Sequence, residues 1–332
     1  MGFGNVGRAL ARSIRIEPLR FDTDIEIAAI SDSTGISILA EPGQIESMLE
    51  WKESGRSLGK FPGSFPARNP SELIRILREI AVPVLVECLP TNILTGQPGL
   101  DLISAGLSHD ISVVTVDKGP VVHGYHDLMD LAARSGKRLA YSGTLGVSPP
   151  DEIAGKRVLE IRGVLNGTTN YVLTEMQQGS QSFQDALSQA QRDGIAEPDP
   201  SLDVDGWDTA AKILILAKSL MSADSSLADV SRIGLGPEIE SLIEEAKKSG
   251  RRVRLVGRAR TWQSRVRVSV APKLVGPDSP FYCVEGTSKA AVFRTEDNEF
   301  VVHSASGLGG ICDTITADIA RAARCLNDAA TG

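Results

Sequence analysis

The sequence predicts an α/β protein in two parts, a doubly wound parallel sheet followed by an α+β domain whose sheet is largely antiparallel. Two observations support this fold class. Up to about residue 141, short apolar strands alternate with helical stretches, which is typical of a parallel sheet covered on both faces. From about residue 158 onward, several strands alternate polar and apolar residues, as in VRVSV at 266–270, which indicates an antiparallel sheet with one solvated face.

The first part begins with a helix that directly follows the amino-terminal glycines. Its predicted helices are 8–16, 70–80 and 125–135, and its predicted strands are 24–30, 82–88, 111–116 and 139–141. The second part has predicted strands at 158–165, 252–259, 265–271, 290–295 and 300–304, with helices near 182–193, 207–223 and 236–249. A last helix, 309–326, follows a glycine-rich turn and is expected to return to the first part.

The composition is that of an ordinary soluble globular protein. The 332 residues are 42% hydrophobic and 23% charged, and a chain of this length is expected to form two domains. A net charge of −7 argues against nucleic acid or an anionic membrane as the partner and favours a small molecule. Four cysteines without paired spacing, and no apolar run of membrane-spanning length, predict a reducing, cytoplasmic location.

The amino terminus carries the pattern G-x-G-x-x-G, spanned by Gly2, Gly4, Asn5, Val6 and Gly7. The first glycine permits a tight turn, the second lets the backbone approach a pyrophosphate, and the third allows the following helix to pack closely. Asp32 lies at the spacing expected for a carboxylate that binds ribose hydroxyls. The pattern therefore predicts a Rossmann-type domain that binds NAD or NADP, with Asp32 favouring NAD. The alternative ligands for a 2′-phosphate are Ser31, Ser33, Thr34, Lys52 and Lys60.

The strand that normally precedes such a fingerprint is missing. It is about five or six residues long and lies at the centre of the sheet, whereas only Met1 precedes Gly2. We therefore expect the natural start codon to lie further upstream. We also expect the chain as written to leave neighbouring strands with unpaired edges, and to fold or bind its cofactor poorly.

A second signal lies in residues 190–212, where several carboxylates precede an apolar helix that Lys212 interrupts. Asp208 and Lys212 are four residues apart and share one helix face, which Asp205 is expected to extend by one turn. One interpretation is a capping acidic cluster with a lysine that reaches solvent. The other is a site where carboxylates bind a substrate ammonium and the lysine handles a hydroxyl proton. The spacing alone does not decide between them.

The chain resembles the homoserine dehydrogenase family over nearly its whole length. The matching segments are GFGNVG at 2–7, VTVDKG at 114–119, LNGTTNYVL at 165–173, GIAEPDPSLDVDGWDTAAK at 194–212 and the glycine-rich turn before the last helix. The long acidic segment ending in lysine is far more specific than the glycines. The resemblance implies NAD(P)-dependent interconversion of L-homoserine and L-aspartate 4-semialdehyde, in threonine and methionine biosynthesis.

The resemblance also implies roles for individual residues. Those expected to bind the substrate ammonium and line its pocket are Glu197, Asp203, Asp208, Gly167 and Thr168. Lys118 and Lys212 would bracket the substrate hydroxyl and transfer its proton while hydride moves to or from the nicotinamide. The loop with Thr91 and Asn92, together with Lys118, would contact the cofactor.

The chain resembles a short form of this family, which has no ACT domain and no aspartate kinase domain. Residues 1–141 and 307–332 would form the dinucleotide-binding domain, and residues 142–306 the substrate-binding and dimerisation domain. Because this second domain usually dimerises through its sheet, a homodimer is implied. A monovalent cation is implied at backbone carbonyls near Leu145 and Val147, but Ser142 and Pro149 depart from the family pattern and argue against it.

Two alternatives stay open. The first is another amino-acid or aldehyde dehydrogenase, the latter of which needs a cysteine nucleophile beside a histidine. None of the histidines lies in a recognisable motif of that kind. The second is a non-catalytic NAD(P)-binding sensor or a decayed paralogue, which the missing strand and the altered cation loop favour. The presence together of Glu197, Asp208, Lys118 and Lys212 argues against it.

Overall fold

The computed structural model describes residues 1–16, 25–41, 43–66, 69–179, 181–305 and 307–330, with side chains as far as residue 324. Asp24 of the predicted strand 24–30 and Ser306 of the predicted turn lie outside these ranges. The chain divides into two compact units, Met1–Thr144 with Gly307–Gly332 and Leu145–Ser306, which we call the first and the second unit. No helix among the described residues is long and apolar enough to cross a membrane.

Helices and strands follow one another in both units. In chain order they are α1 (Asn5–Ile16), β1 (Ala29–Asp32), β2 (Gly35–Ile38), α2 (Gln44–Glu53), α3 (Pro70–Glu79), β3 (Val84–Glu87), α4 (Gly99–Ser108), β4 (Ser112–Thr115), α5 (Lys118–Ser135), β5 (Leu139–Ala140), β6 (Val158–Val164), α6 (Gly167–Gly179), α7 (Phe183–Arg192), α8 (Ser201–Val204), α9 (Trp207–Met221), β7 (Ser231–Arg232), α10 (Ile239–Lys248), β8 (Arg252–Trp262), β9 (Arg265–Val275), β10 (Lys289–Thr295), β11 (Glu299–Ser304) and α11 (Leu308–Ala330).

The first unit contains a parallel sheet in the order β3, β4, β5, and a separate antiparallel hairpin of β1 and β2. Helix α11 packs against α1 and the sheet, with Leu10, Ile315 and Ile319 in one apolar cluster. Helices α3, α4 and α5 supply a second apolar cluster with β3 and β4. The α/β class with a parallel sheet is confirmed, and the last helix does return to the first unit.

An apolar cavity of about 250 Å³ separates β1 from β3. Among the described residues, Met1 and Gly2 bridge the two strands, because the Met1 amino group donates to Val86 O at 2.8 Å and Gly2 N donates to Ser31 O at 2.9 Å. Residues 25–28, which the sequence predicts as strand, line this cavity and pair with no strand, so β1 begins only at Ala29.

The second unit contains a mixed sheet in the order β11, β10, β6, β8, β9, β7, in which only the short β7–β9 pair is parallel. Helix α9 packs against β6, β8 and β9 on one face. Gly257 of β8 permits this close approach, because a Cβ there would lie 3.1 Å from side-chain atoms of Thr209 and Ile213. The predicted α+β unit with a largely antiparallel sheet is therefore confirmed.

Candidate active site

Helix α9 brings the predicted lysine and carboxylate together. Gly206 adopts a left-handed conformation, with φ of 81°, and the helix begins at the next residue. One turn later, Lys212 Nζ donates to Asp208 Oδ2 at 2.5 Å and to Leu165 O at 2.9 Å. Lys212 is only 9% exposed, so its ammonium group is held inside the unit by these two acceptors. The interpretation of Lys212 as a lysine that reaches solvent is wrong.

Asn166 connects the carboxylates, and the sequence analysis did not single it out. Its Nδ2 donates to Asp203 Oδ1 at 2.6 Å and to Asp208 Oδ2 at 2.8 Å. Its Oδ1 accepts from Thr169 N at 2.8 Å at the start of α6, which fixes the orientation of the amide. The NGT motif contained the signal, because an asparagine just before a helix commonly caps it.

The cluster combines two carboxylates with one ammonium group. Lys212 is bonded to Asp208, and Asp203 is joined to Asp208 through the Asn166 amide. Burial raises the pKa of Asp203, and the nearby Asp208 carboxylate raises it further, while hydrogen bonds from Asn166 and Thr168 act in the opposite direction. A cationic group bound beside these carboxylates would lower the pKa of Asp203 again.

The other predicted substrate residues differ in how they relate to the cluster. Gly167 is the first residue of α6, and Thr168 Oγ1 donates to Ile195 O at 3.2 Å. Glu197 is exposed on the turn before α8, and no hydrogen bond of its side chain to the cluster is seen in the described part of the chain. Asp205 does not extend the helix face of Asp208, because Gly206 turns the chain between α8 and α9.

The amino-terminal glycines differ in the space around them. A Cβ on Gly2 would lie 2.4 Å from Cys88 O, and one on Gly7 would lie 2.3 Å from Gly2 O. At Gly4, in contrast, a Cβ would meet nothing within 4 Å, so the backbone there is open to a ligand. Helix α1 begins at Asn5, and the N–H groups of its first turn lack acceptors within the helix. These residues fit a pyrophosphate.

The carboxylate of Asp32 is already fully engaged within the protein. Its Oδ1 accepts from Thr34 N at 2.8 Å and from Thr34 Oγ1 at 2.5 Å. Its Oδ2 accepts from Lys52 Nζ at 2.7 Å and from Leu58 N at 3.1 Å. Since a carboxylate accepts about four hydrogen bonds, ribose hydroxyls would have to displace one of these donors. The preference for NAD that we inferred from Asp32 therefore depends on Lys52.

Substitution of Lys52 is expected to shift the cofactor preference towards NAD. The Lys52→Ala variant frees Asp32 Oδ2 for a ribose hydroxyl and removes a cation that would attract a 2′-phosphate. We expect the ratio of the Kd for NADPH to the Kd for NADH to rise about tenfold, as measured by cofactor fluorescence. Arg78→Ala is the control, because Arg78 is an exposed cation on α3 of the same unit and was not assigned to the cofactor site. An equal shift in both variants would refute this role of Lys52.

Two neighbouring loops of the first unit carry the other residues that the resemblance assigns to cofactor binding. Thr91 and Asn92 follow β3, and Asn92 Oδ1 accepts from Leu94 N and Thr95 N, each at 3.2 Å. Lys118 is the first residue of α5, directly after β4, and is half-buried. Both loops follow the carboxyl ends of parallel strands, which is where ligands bind in such sheets.

The segment around Leu145 and Val147, where a monovalent cation is implied by the resemblance, forms a turn next to Lys289. Leu145 and Val147 are buried on either side of Gly146, whose φ is +71°. The Lys289 Nζ lies 3.4 Å from the point where a Cβ of Gly146 would stand, so an ammonium group lies next to this loop. No cluster of three or more acidic, histidine or cysteine side chains suited to a metal is found within the described ranges.

The described cysteines do not suggest a nucleophile. Burial raises the pKa of Cys88 to about 11 and also raises the pKa of Cys312, which disfavours both thiolates. Cys283 is exposed and forms no disulfide, and the Cys325 side chain lies outside the described residues. This pattern does not support a thiohemiacetal mechanism.

Comparisons with known proteins agree with the geometry. The family model for homoserine dehydrogenase matches residues 149–319. Homoserine dehydrogenase of Methanocaldococcus jannaschii is 33% identical over 94% of this chain and 93% of the relative. The NAD(+)-dependent homoserine dehydrogenase of Pseudomonas canavaninivorans is 30% identical over 93% of this chain and 90% of the relative. A solved hyperthermophilic archaeal homoserine dehydrogenase in complex with NADPH is similar, with a TM-score of 0.78, 28% identity, and coverage of 97% of this chain and 95% of that one.

Proposed function

This chain belongs to the homoserine dehydrogenase family, and we propose that the charged cluster around Asn166 is the substrate end of its active site. The reaction is the NAD(P)-dependent interconversion of L-homoserine and L-aspartate 4-semialdehyde. One observation carries the assignment of the site. Asp203 and Asp208 are held together by a single amide, with the buried Lys212 ammonium bonded to one of them.

Charge balance supports this assignment. The cluster of two carboxylates and one ammonium has a net charge of −1, and it is largely shielded from water. Homoserine and aspartate semialdehyde both carry an α-ammonium group, which would neutralise this charge. Because charge-assisted hydrogen bonds to a carboxylate are about twice as strong as neutral ones, the cluster favours an amino acid over a simple alcohol. Glu197, Gly167 and Thr168 are proposed as further contacts to the substrate.

The proton-transfer step is assigned to lysine. When aldehyde is reduced, the ammonium group of Lys212 polarises the carbonyl oxygen and protonates it, and when homoserine is oxidised, the neutral amine accepts the hydroxyl proton. A substrate ammonium that binds Asp208 would weaken the ion pair that holds the Lys212 proton. Lys118 is proposed as the second lysine at the substrate hydroxyl. When bound, NAD(P) supplies the donor or acceptor of the hydride.

A homodimer that forms through the sheet of the second unit is part of the proposal. Gly257 faces α9, so Arg258, Arg260 and Trp262 lie on the opposite face of β8. On this face Glu160 accepts a hydrogen bond from Arg258 and forms an ion pair with Arg294, while Trp262 is 45% exposed. An uncovered sheet face with an exposed tryptophan and paired charges suits association of two copies, which light scattering would detect as twice the chain mass.

Cellular placement is also proposed. We place the enzyme in the cytoplasm, in the biosynthesis of threonine and methionine. In support of a reducing compartment, Cys88, Cys283 and Cys312 form no disulfide.

The function is tested by following NADH and NADPH absorbance with L-aspartate 4-semialdehyde, before and after treatment with iodoacetamide. The proposed function predicts oxidation of the cofactor that survives thiol blocking, and formation of L-homoserine. Reduction of NAD(P) that iodoacetamide abolishes would instead indicate an aldehyde dehydrogenase. Binding of NADH without turnover would indicate a sensor.

A further inference from the structure

A buried carboxyl group at the end of β3 has no part in the mechanism described above. Glu87 is the last residue of β3, and it is paired in register with Thr115, the last residue of β4. Both side chains are 0% exposed, and Asp117, which follows β4, is 1% exposed. Burying two acidic groups so close together is costly, since apolar side chains of similar size usually stabilise a core better. This cost calls for a functional explanation.

Hydrogen bonds join these residues into one continuous network. Glu87 Oε1 accepts from Leu89 N at 2.6 Å, which fixes the loop that follows β3, and the Thr115 hydroxyl donates to Glu87 Oε2. Thr115 Oγ1 in turn accepts from Asp117 N at 3.0 Å. Asp117 Oδ1 then accepts from Gly119 N at 2.9 Å and so caps the start of α5. One network therefore spans both strand ends.

The two loops that this network joins also touch directly. A Cβ on Gly119 would lie only 2.4 Å from Asn92 O, so the first turn of α5 is packed against the loop after β3. The ring of His123, one turn further along α5, lies 2.9 Å through its Nε2 from Ile93 O. At this spacing, a shift of either loop would displace the other.

We propose that Glu87 and Thr115 are positioning residues, which hold the loop of Thr91 and Asn92 in register with the helix start that carries Lys118. The inference rests on the proposed function, which assigns those three residues to the cofactor end. Neither Glu87 nor Thr115 is proposed to touch substrate or cofactor. They act through Leu89 N, Asp117 and Gly119.

The network should make cofactor binding sensitive to pH. Burial raises the pKa of Glu87 to about 7, and the Asp117 carboxylate raises it too, whereas the Thr115 hydroxyl, Leu89 N and the Met1 amino group lower it. Cys88 is a further titratable neighbour among the described residues. Above this pH, Glu87 adds a negative charge beside the Asp117 carboxylate, in a unit that must bind a dianionic pyrophosphate. Affinity for NADH should therefore fall as the pH rises through about 7.

The test measures the Kd of NADH by fluorescence against pH, together with the melting temperature, in the full chain. Thr115→Val is expected to weaken NADH binding about tenfold, and Thr115→Ser to restore it. Glu87→Gln is expected to remove the change near pH 7 that the wild type shows. The control is Thr316→Val, because Thr316 is a buried threonine of the same unit that donates to Cys312 O in its own helix. It is expected to leave the Kd unchanged.

The proposal is overturned if Thr115→Val and Thr316→Val lower the melting temperature alike with no change in Kd. It is also overturned if Glu87→Gln retains the dependence near pH 7. The assay contains no substrate, so a wild type that shows the expected binding without converting homoserine would refute the proposed function alone.

Discussion

Lys212→Met is expected to lower kcat for homoserine oxidation by about 10²- to 10⁴-fold, the usual range for loss of a general acid–base. Methionine keeps the length of the buried side chain but cannot carry the hydroxyl proton, and it leaves Asp208 without its ion-pair partner. Because Lys212 is bonded to Asp208 and Leu165 O and is not assigned to cofactor binding, the Kd of NADH should change little. Steady-state kinetics, with fluorescence titration of NADH, measure both quantities.

Lys218→Met is the matched control. Lys218 lies on the same helix, is 8% exposed and has its pKa lowered by burial, yet it is not bonded to Asp203, Asp208 or Asn166. It should keep a kcat near that of the wild type. If the two methionine variants lost activity equally, the loss would reflect the packing of α9 and not proton transfer.

Asp208→Asn is expected to raise the KM for homoserine and to lower kcat/KM by about 10²- to 10³-fold, which corresponds to the loss of a hydrogen bond between charged groups and of the Lys212 ion pair. The amide retains the shape of the side chain, but the net charge of the cluster rises from −1 to 0. The substrate ammonium then meets a neutral site. The melting temperature should also fall, because Lys212 is left buried without its carboxylate.

Asp205→Asn controls for the general loss of an acidic group in the same segment, because Asp205 is exposed at the end of α8. It should leave the KM for homoserine unchanged. An Asp208→Asn enzyme that melted at a lower temperature but kept the wild-type KM would show that Asp208 only stabilises Lys212.

Much of the fold could be predicted from the sequence because apolar residues recur at regular helix or strand spacing in most elements. The predicted strands 252–259 and 265–271 are shorter than the observed β8 and β9. These two strands form a hairpin in which pairing continues as far as Trp262 and Arg265. Helix α6 was not predicted, because its first turn, GTTN, contains residues with low helix propensity. The helix forms because Asn166 caps it. Helix α4 likewise contains glycine and serine and is stabilised by packing in the core.

The candidate site could be predicted only in part. The spacing of Asp208 and Lys212 placed them on one helix face, and the structure shows their ion pair. Asp203 joins them only because Asn166, distant along the chain, donates to both carboxylates, and a long-range contact of this kind leaves no periodic signal. The same holds for Glu87 and Thr115, which come together through the register of two parallel strands. Asp32 is the last residue of β1, and its bond to Lys52 could not be predicted from the spacing of the glycines and the carboxylate.

The central claim is that this chain converts homoserine at the cluster around Asn166. The most direct test measures L-homoserine-dependent formation of NADH or NADPH on a sample of wild-type protein whose NADH binding has been confirmed by fluorescence. The claim predicts that the cofactor is reduced only when L-homoserine is present, and that L-aspartate 4-semialdehyde accumulates. A folded sample that binds NADH but forms no reduced cofactor with L-homoserine would contradict it.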